Sequence, residues 1–163
     1  MRAHTKIGAV AVGVLTALTM TAGPAAAATG PAAPKILSPQ SVQTFQDYAT
    51  GFCLDSNASK SAYTNPCGST NTYQHWTVVA FGSHRELQDV ATGFCLDSNS
   101  SKSLYTNPCG HGTNSYQLWD VFTFGGNIEL QDYATGFCLD SNSSKSAYTN
   151  SCGHGTNSYQ LWH

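Results

Sequence analysis

A carboxylate, a phenol and two amides recur three times along the chain in the same order: Asp55, Tyr63, Asn65 and Gln74; Asp97, Tyr105, Asn107 and Gln117; Asp140, Tyr148, Asn150 and Gln160. Such a set suits a polyhydroxylated ligand. A carboxylate accepts from two hydroxyls, an amide adds direction, and an aromatic ring covers the apolar face of a sugar. Each residue also has a structural use: Asp can cap the turn that follows it, Gln can satisfy buried backbone groups, and Tyr can pack. On the residues alone both uses stay open.

Other constellations carry less chemistry. Asp47, Asp89 and Asp132 lie eight residues before those carboxylates, a pairing that would suit a glycosidase. Each precedes an Ala-Thr-Gly turn, so a turn role is expected. His111 and His154 sit in Gly-His-Gly turns that the first copy lacks, without companion ligands for a metal. No Ser/His/Asp or Cys/His order marks a nucleophile. The expectation is a non-enzymatic chain with no cofactor, no metal and no catalytic residue.

The elements that must position these groups form one unit written three times. GFCLDSN recurs at 51–57, 93–99 and 136–142, and Gln-x-Trp at Gln74/Trp76, Gln117/Trp119 and Gln160/Trp162. The three Trp lie 43 residues apart in both steps, a period that marks a repeat architecture. The second and third copies differ only at Val90/Tyr133, Leu104/Ala147 and Pro108/Ser151 from Glu86 to Trp119 against Glu129 to Trp162. Apolar residues never recur at helical intervals for more than a turn, so strands are expected. Four fit each unit: one around RELQD at 85–89, one at FCLDS, one at YTNPC, and one running from Gln-x-Trp into TVVAF or DVFTF. Propellers need more than three blades. Twelve strands about a pseudo-threefold axis predict an all-β fold, a β-trefoil, with the Trp residues in its core.

Six cysteines form three pairs 14 residues apart: Cys53/Cys67, Cys95/Cys109 and Cys138/Cys152. Fifteen connectivities are possible. Threefold repetition makes pairing within each unit the simplest symmetric choice, and no Cys-x-x-Cys suggests zinc. An antiparallel hairpin with Cys53 opposite Cys67 would set Asp55 against Asn65 and Asn57 near Tyr63. Alternation then puts Cys, Asp, Asn and Tyr on one face, with Phe52 and Leu54 on the other.

Residues 1–28 read as an export signal: Arg2, His4 and Lys6, then an apolar stretch at 7–21, then Ala25, Ala26, Ala27 and Ala28. That stretch is shorter than the roughly 20 residues a membrane span needs. A secreted, extracellular protein without membrane insertion is expected, with residues 29–42 as an N-terminal segment and 43–163 as the domain, in repeats at about 43–84, 85–127 and 128–163. Without Arg2 and Lys6, five basic side chains face nine acidic ones, a balance that disfavours nucleic acid.

The order Gly-Phe-Cys-Leu-Asp, Tyr-Thr-Asn-Pro-Cys-Gly and Gln-x-Trp, three times over, resembles the ricin B-chain type of lectin domain, in particular the versions in secreted actinobacterial proteins. The resemblance covers about 43–163. It implies a β-trefoil binding saccharides or polysaccharides at up to three shallow sites, with Asp55, Asp97 and Asp140 accepting from sugar hydroxyls and Gln74, Gln117 and Gln160 assisting. The sequence departs from that pattern where a stacking aromatic usually stands, which holds Asn65, Asn107 or Asn150. Tyr63, Tyr105 and Tyr148 occupy the usual Gln position. Tyr73, Tyr116 and Tyr159 replace the Asn before Gln-x-Trp, with an Asn two positions earlier. A monomer is expected. The rival expectation is a β-trefoil interaction protein without sugar, such as a protease inhibitor or toxin subunit. The last unit stops at Trp162-His163, and residues 35–42 are expected to cover the gap beside the first strand.

Overall fold

The computed structural model describes residues 40–163. The export signal, and 29–39 of the N-terminal segment, lie outside the described residues. The strands are β1 Ser41–Gln43, β2 Phe52–Ser56, β3 Ala62–Pro66, β4 Trp76–Phe81, β5 His84–Asp89, β6 Cys95–Ser98, β7 Leu104–Asn107, β8 Trp119–Phe124, β9 Asn127–Asp132, β10 Cys138–Ser141 and β11 Ala147–Asn150.

Two long hairpins cross the repeat boundaries, β4 with β5 and β8 with β9. Gly125 and Gly126 both take positive φ, 58° and 90°, in the two-residue turn of the second, which matches the twist of its strands. Three short hairpins, β2–β3, β6–β7 and β10–β11, belong to one repeat each and cap the barrel.

Each tryptophan ties two repeats. Trp76 pairs with Gln43 and Asp89, Trp119 with Arg85 and Asp132, and Trp162 with Ile128 and Asp47. The last pair returns the chain to its first repeat and closes the ring, so the fold is a β-trefoil. All three indoles are fully buried, with Leu54, Leu87, Leu96, Leu130, Leu139, Ile128, Val78 and Phe45 around them. Each indole N–H donates to a cap-hairpin carbonyl, Leu54, Leu96 or Leu139, at 3.2–3.4 Å. Full burial of a leucine-sized side chain contributes about 1.5–3 kcal/mol, and this shared core is where the repeats gain what none could bury alone.

Several expectations need correction. The Gln of each Gln-x-Trp lies in a 3-10 turn (Thr72–Gln74, Ser115–Gln117, Ser158–Gln160), and the strand starts at Trp. An Asn caps each turn: Asn71, Asn114 and Asn157 accept from the N–H two residues on. The third repeat has a bridge at Trp162 in place of a fourth strand, giving eleven strands among the described residues. Of residues 35–42, Ser41 and Val42 begin the first strand itself, paired with β4, rather than running beside it; 35–39 lie outside the described residues.

The hairpin register is shifted by two residues. Asp55 faces Tyr63 and Cys53 faces Asn65, with the same pairs at Asp97/Tyr105 and Asp140/Tyr148. The loop sets this register: Asn57 N–H donates to Ser61 O, and the Asn57 side chain accepts the Ser61 amide at 3.0 Å. A two-residue shift preserves alternation, so Cys53, Asp55, Tyr63 and Asn65 still share one face. The disulfides join Cys53–Cys67, Cys95–Cys109 and Cys138–Cys152, with Cα atoms 4.9–5.0 Å apart. They close diagonally, past the ends of the second strands.

Candidate carbohydrate site

Each 3-10 turn aims its Gln at the neighbouring hairpin's carboxylate. Gln74 Nε2 donates to Asp55 Oδ2 at 2.9 Å and to the Pro66 carbonyl at 3.0 Å, while its Oε1 accepts the Gly68 amide at 2.8 Å. Gln117 and Gln160 repeat this with Asp97 and Asp140 at 2.9 Å. The capping Asn donates to the same Oδ2, at 3.1 Å from Asn71, 3.2 Å from Asn114 and 3.3 Å from Asn157. Asp55 and Asp140 Oδ1 accept the following serine amide.

The carboxylates therefore lie beneath the surface. Asp55 is 1% exposed and Asp97 and Asp140 2%, and the three Gln are buried with them. Burial pushes the Asp97 carboxyl above the ordinary range, against the opposing bonds from Gln117, Asn107, the Ser98 amide and Asn114. What meets solvent is the rest of the set. Tyr63, Tyr105 and Tyr148 are partly exposed, as are Asn65, Asn107 and Asn150. Each phenol donates to a serine carbonyl, Ser56, Ser98 or Ser141, at 3.0–3.1 Å, which fixes its ring on the polar face. Burial, then the adjoining Asp carboxylate, raises all three phenol pKa values. The twelve residues thus form three clusters of four, one per repeat, in two layers: Tyr and Asn outside, Asp and Gln within. Such a surface offers a flat ring and an amide to a sugar, on a base with little freedom to move.

Asp47, Asp89 and Asp132 serve turns. Their Oδ1 atoms accept from Thr50, Thr92 and Thr135 N–H at 2.7–2.8 Å. Their Oδ2 atoms accept a serine hydroxyl of the adjacent repeat: Ser98 to Asp132 at 2.7 Å, Ser56 to Asp89, and Ser141 to Asp47. His111 stands 4.0 Å from buried Glu86, and His154 3.8 Å from Glu129. The sulfurs near those glutamates belong to disulfides, leaving no thiolate to hold a metal.

Two features escaped the sequence reading. In the first repeat Thr44 stands where Glu86 and Glu129 stand in the others, and the loop after Cys67 is one residue shorter. A cavity of about 630 Å³ opens there, lined by Gln46, Gln74, Ser69, His75 and His163 among others. In the other repeats Gly112 and Gly155 pack on Phe81 and Phe124 so tightly that a Cβ would lie within 2.7 Å of the ring. The second feature is the lysine in each hairpin loop, Lys60, Lys102 and Lys145. Its signal was present in the recurring Ser-Lys-Ser.

Residues 41–162 match the family model described as the ricin-type beta-trefoil lectin domain. No curated protein matches the chain. Among solved structures, a designed threefold-symmetric protein, ThreeFoil, is 18% identical with TM-score 0.65, covering 75% of this chain and 96% of that one. The GlcNAcα1-4Gal-releasing endo-β-galactosidase from Clostridium perfringens is 12% identical with TM-score 0.68, covering 75% of this chain and only 31% of the enzyme. The cytolethal distending toxin of Actinobacillus actinomycetemcomitans is 14% identical with TM-score 0.65, covering 75% and 88%. At these identities the likeness is one of fold. Among the described residues no helix is long and apolar enough to cross a membrane.

Proposed function

Because this chain belongs to the ricin-type β-trefoil lectin domain family, we propose that it is a carbohydrate-binding protein with one shallow saccharide site on each of its three cap hairpins. The sites are Asp55, Tyr63, Asn65 and Gln74; Asp97, Tyr105, Asn107 and Gln117; Asp140, Tyr148, Asn150 and Gln160. Tyr and Asn contact the sugar, the ring covering its apolar face and the amide meeting a hydroxyl. Asp and Gln act as positioning residues, holding the hairpin and the capping Asn in one arrangement.

The observation that carries this reading is the threefold recurrence of a partly exposed Tyr and Asn over one buried Asp–Gln–Asn network. A shallow site is weak alone. Three on one molecule gain by avidity on a polymer or a glycan-coated surface, by as much as about 10²–10⁴-fold where the geometry lets them engage together. The family is a non-catalytic binding module, and we place this chain with it as a non-enzymatic monomer. Three disulfides suit an oxidising, extracellular setting, in keeping with secretion of the actinobacterial type.

A glycan array tests this with the wild type and the variant Tyr63→Ala/Tyr105→Ala/Tyr148→Ala, whose folding is checked by circular dichroism. Binding to a saccharide class that is lost in the folded variant supports the reading. Equal binding by both would move the site elsewhere, and an array blank for the wild type would favour a sugar-independent interaction protein.

A further inference from the structure

Three lysines leave their own repeat for the next one's candidate site. Lys60 Nζ donates to Asn107 Oδ1 at 3.1 Å, Lys102 to Asn150 at 2.8 Å, and Lys145, across the closure of the ring, to Asn65 at 3.1 Å. The same ammonium groups stand 5.3, 5.1 and 5.8 Å from the ring centroids of Phe94, Phe137 and Phe52, within reach of cation–π attraction. Each site is thus built from two repeats: a hairpin from one and a cation from the repeat before it.

The backbone makes the choice of lysine informative. Lys60, Lys102 and Lys145 have φ of 69°, 64° and 66°, the left-handed region where glycine or asparagine sits most easily and other side chains are strained. Their carbonyls accept from Thr106, Thr149 and Thr64, a bond that glycine could make equally well. The hairpin loop therefore has no need of this side chain. The neighbouring site does have a use for it, since the ammonium is held on that site's partly exposed asparagine, Asn107, Asn150 or Asn65.

Charge exposure sharpens the point. Every side-chain carboxylate among the described residues is buried except that of Asp120, whereas all three lysines are exposed. An ammonium has three donors, and the asparagine takes one. Free N–H donors beside a sugar surface call for an anionic oxygen group on the ligand, because charge-assisted bonds are roughly twice as strong as neutral ones.

We propose that Lys60, Lys102 and Lys145 are specificity-determining residues that select acidic saccharides, those whose sugar units carry a carboxylate or a sulfate ester. The proposal rests on the lectin reading above. It gives the three sites a common preference, and a polyanionic glycan bridging them meets a cation at each.

Calorimetry on the full chain tests it with matched ligands: a galacturonate oligomer and a 6-sulfated galactose oligomer, each against the neutral galactose oligomer of equal length. The wild type should bind one or both acidic ligands about 10-fold more tightly per site than the neutral one, with a preference that weakens as salt rises. Which acid wins tells carboxylate from sulfate. In Lys60→Gln/Lys102→Gln/Lys145→Gln, which keeps a donor for each Asn, the acidic-to-neutral ratio should fall to near one. A wild-type ratio near one, or an unchanged ratio in the variant, overturns the lysine proposal and leaves the lectin reading standing. Absence of binding to these ligands and to every saccharide on the array overturns both.

Discussion

Gln117 joins two parts of its repeat with one amide: Nε2 donates to Asp97 Oδ2 at 2.9 Å while Oε1 accepts the Gly110 N–H at 2.7 Å. The two ends are not interchangeable. Glutamate at this position keeps the acceptor for Gly110 but sets a second carboxylate beside one already buried. Gln117→Glu should cost on the order of 3 kcal/mol at neutral pH, seen as a lowered Tm, and should recover part of that loss on acidification, when the pair can share a proton. Gln117→Ala removes these two bonds and the one that Nε2 gives the Pro108 carbonyl at 3.0 Å without adding charge, so its loss should depend less on pH. Thermal melts of the two variants at pH 7 and pH 4 check this difference; identical pH slopes would contradict it.

Glu86 supplies a second pH-dependent contribution, of known sign. Burial raises its carboxyl pKa, against weaker opposing effects of the Gly112 amide, the His111 charge and the His111 amide. A carboxyl raised in the folded state binds its proton more tightly folded than unfolded. Its contribution to stability is then fully present below the unfolded pKa and is lost as pH rises through the folded one. Burial raises Asp97 and Asp132 in the same direction, so the three groups together should make the protein more stable on mild acidification from neutrality. Glu86→Gln keeps an acceptor for Gly112 and removes the titration. It should raise Tm at pH 7 and flatten the rise of Tm between pH 7 and pH 5, measured by calorimetry across that range. A variant that melts lower at pH 7 and keeps the slope would refute this.

The fold was legible in the sequence because it is specified three times. The Trp period, the alternation in FCLDS and the cysteine spacing each point to the same hairpin-capped barrel, and the core tryptophans follow from apolar strands beginning at Gln-x-Trp. The register was not legible to within two residues: cysteine spacing points to Cys53 opposite Cys67, whereas the Asn57 side-chain turn and the left-handed Lys60 set Cys53 opposite Asn65. Burial of Asp55 and Gln74 was not legible either. It depends on a 3-10 turn whose cap, Asn71, looks in sequence like any loop residue. The lysines were missed for a related reason: a lone charge in a Ser-rich loop resembles a solvated surface, and only closure of the ring brings Lys145 onto Asn65, 80 positions away.

Amide chemical-shift mapping during titration with a saccharide chosen from the array measures directly whether sugars dock on the three cap hairpins, as we propose. The predicted result is a set of perturbations at equivalent places in all three repeats: the amides of Tyr63, Asn65 and Lys145, of Tyr105, Asn107 and Lys60, and of Tyr148, Asn150 and Lys102. Perturbations confined to the β4–β5 and β8–β9 turns, or to the cavity around His75 and His163, would contradict it.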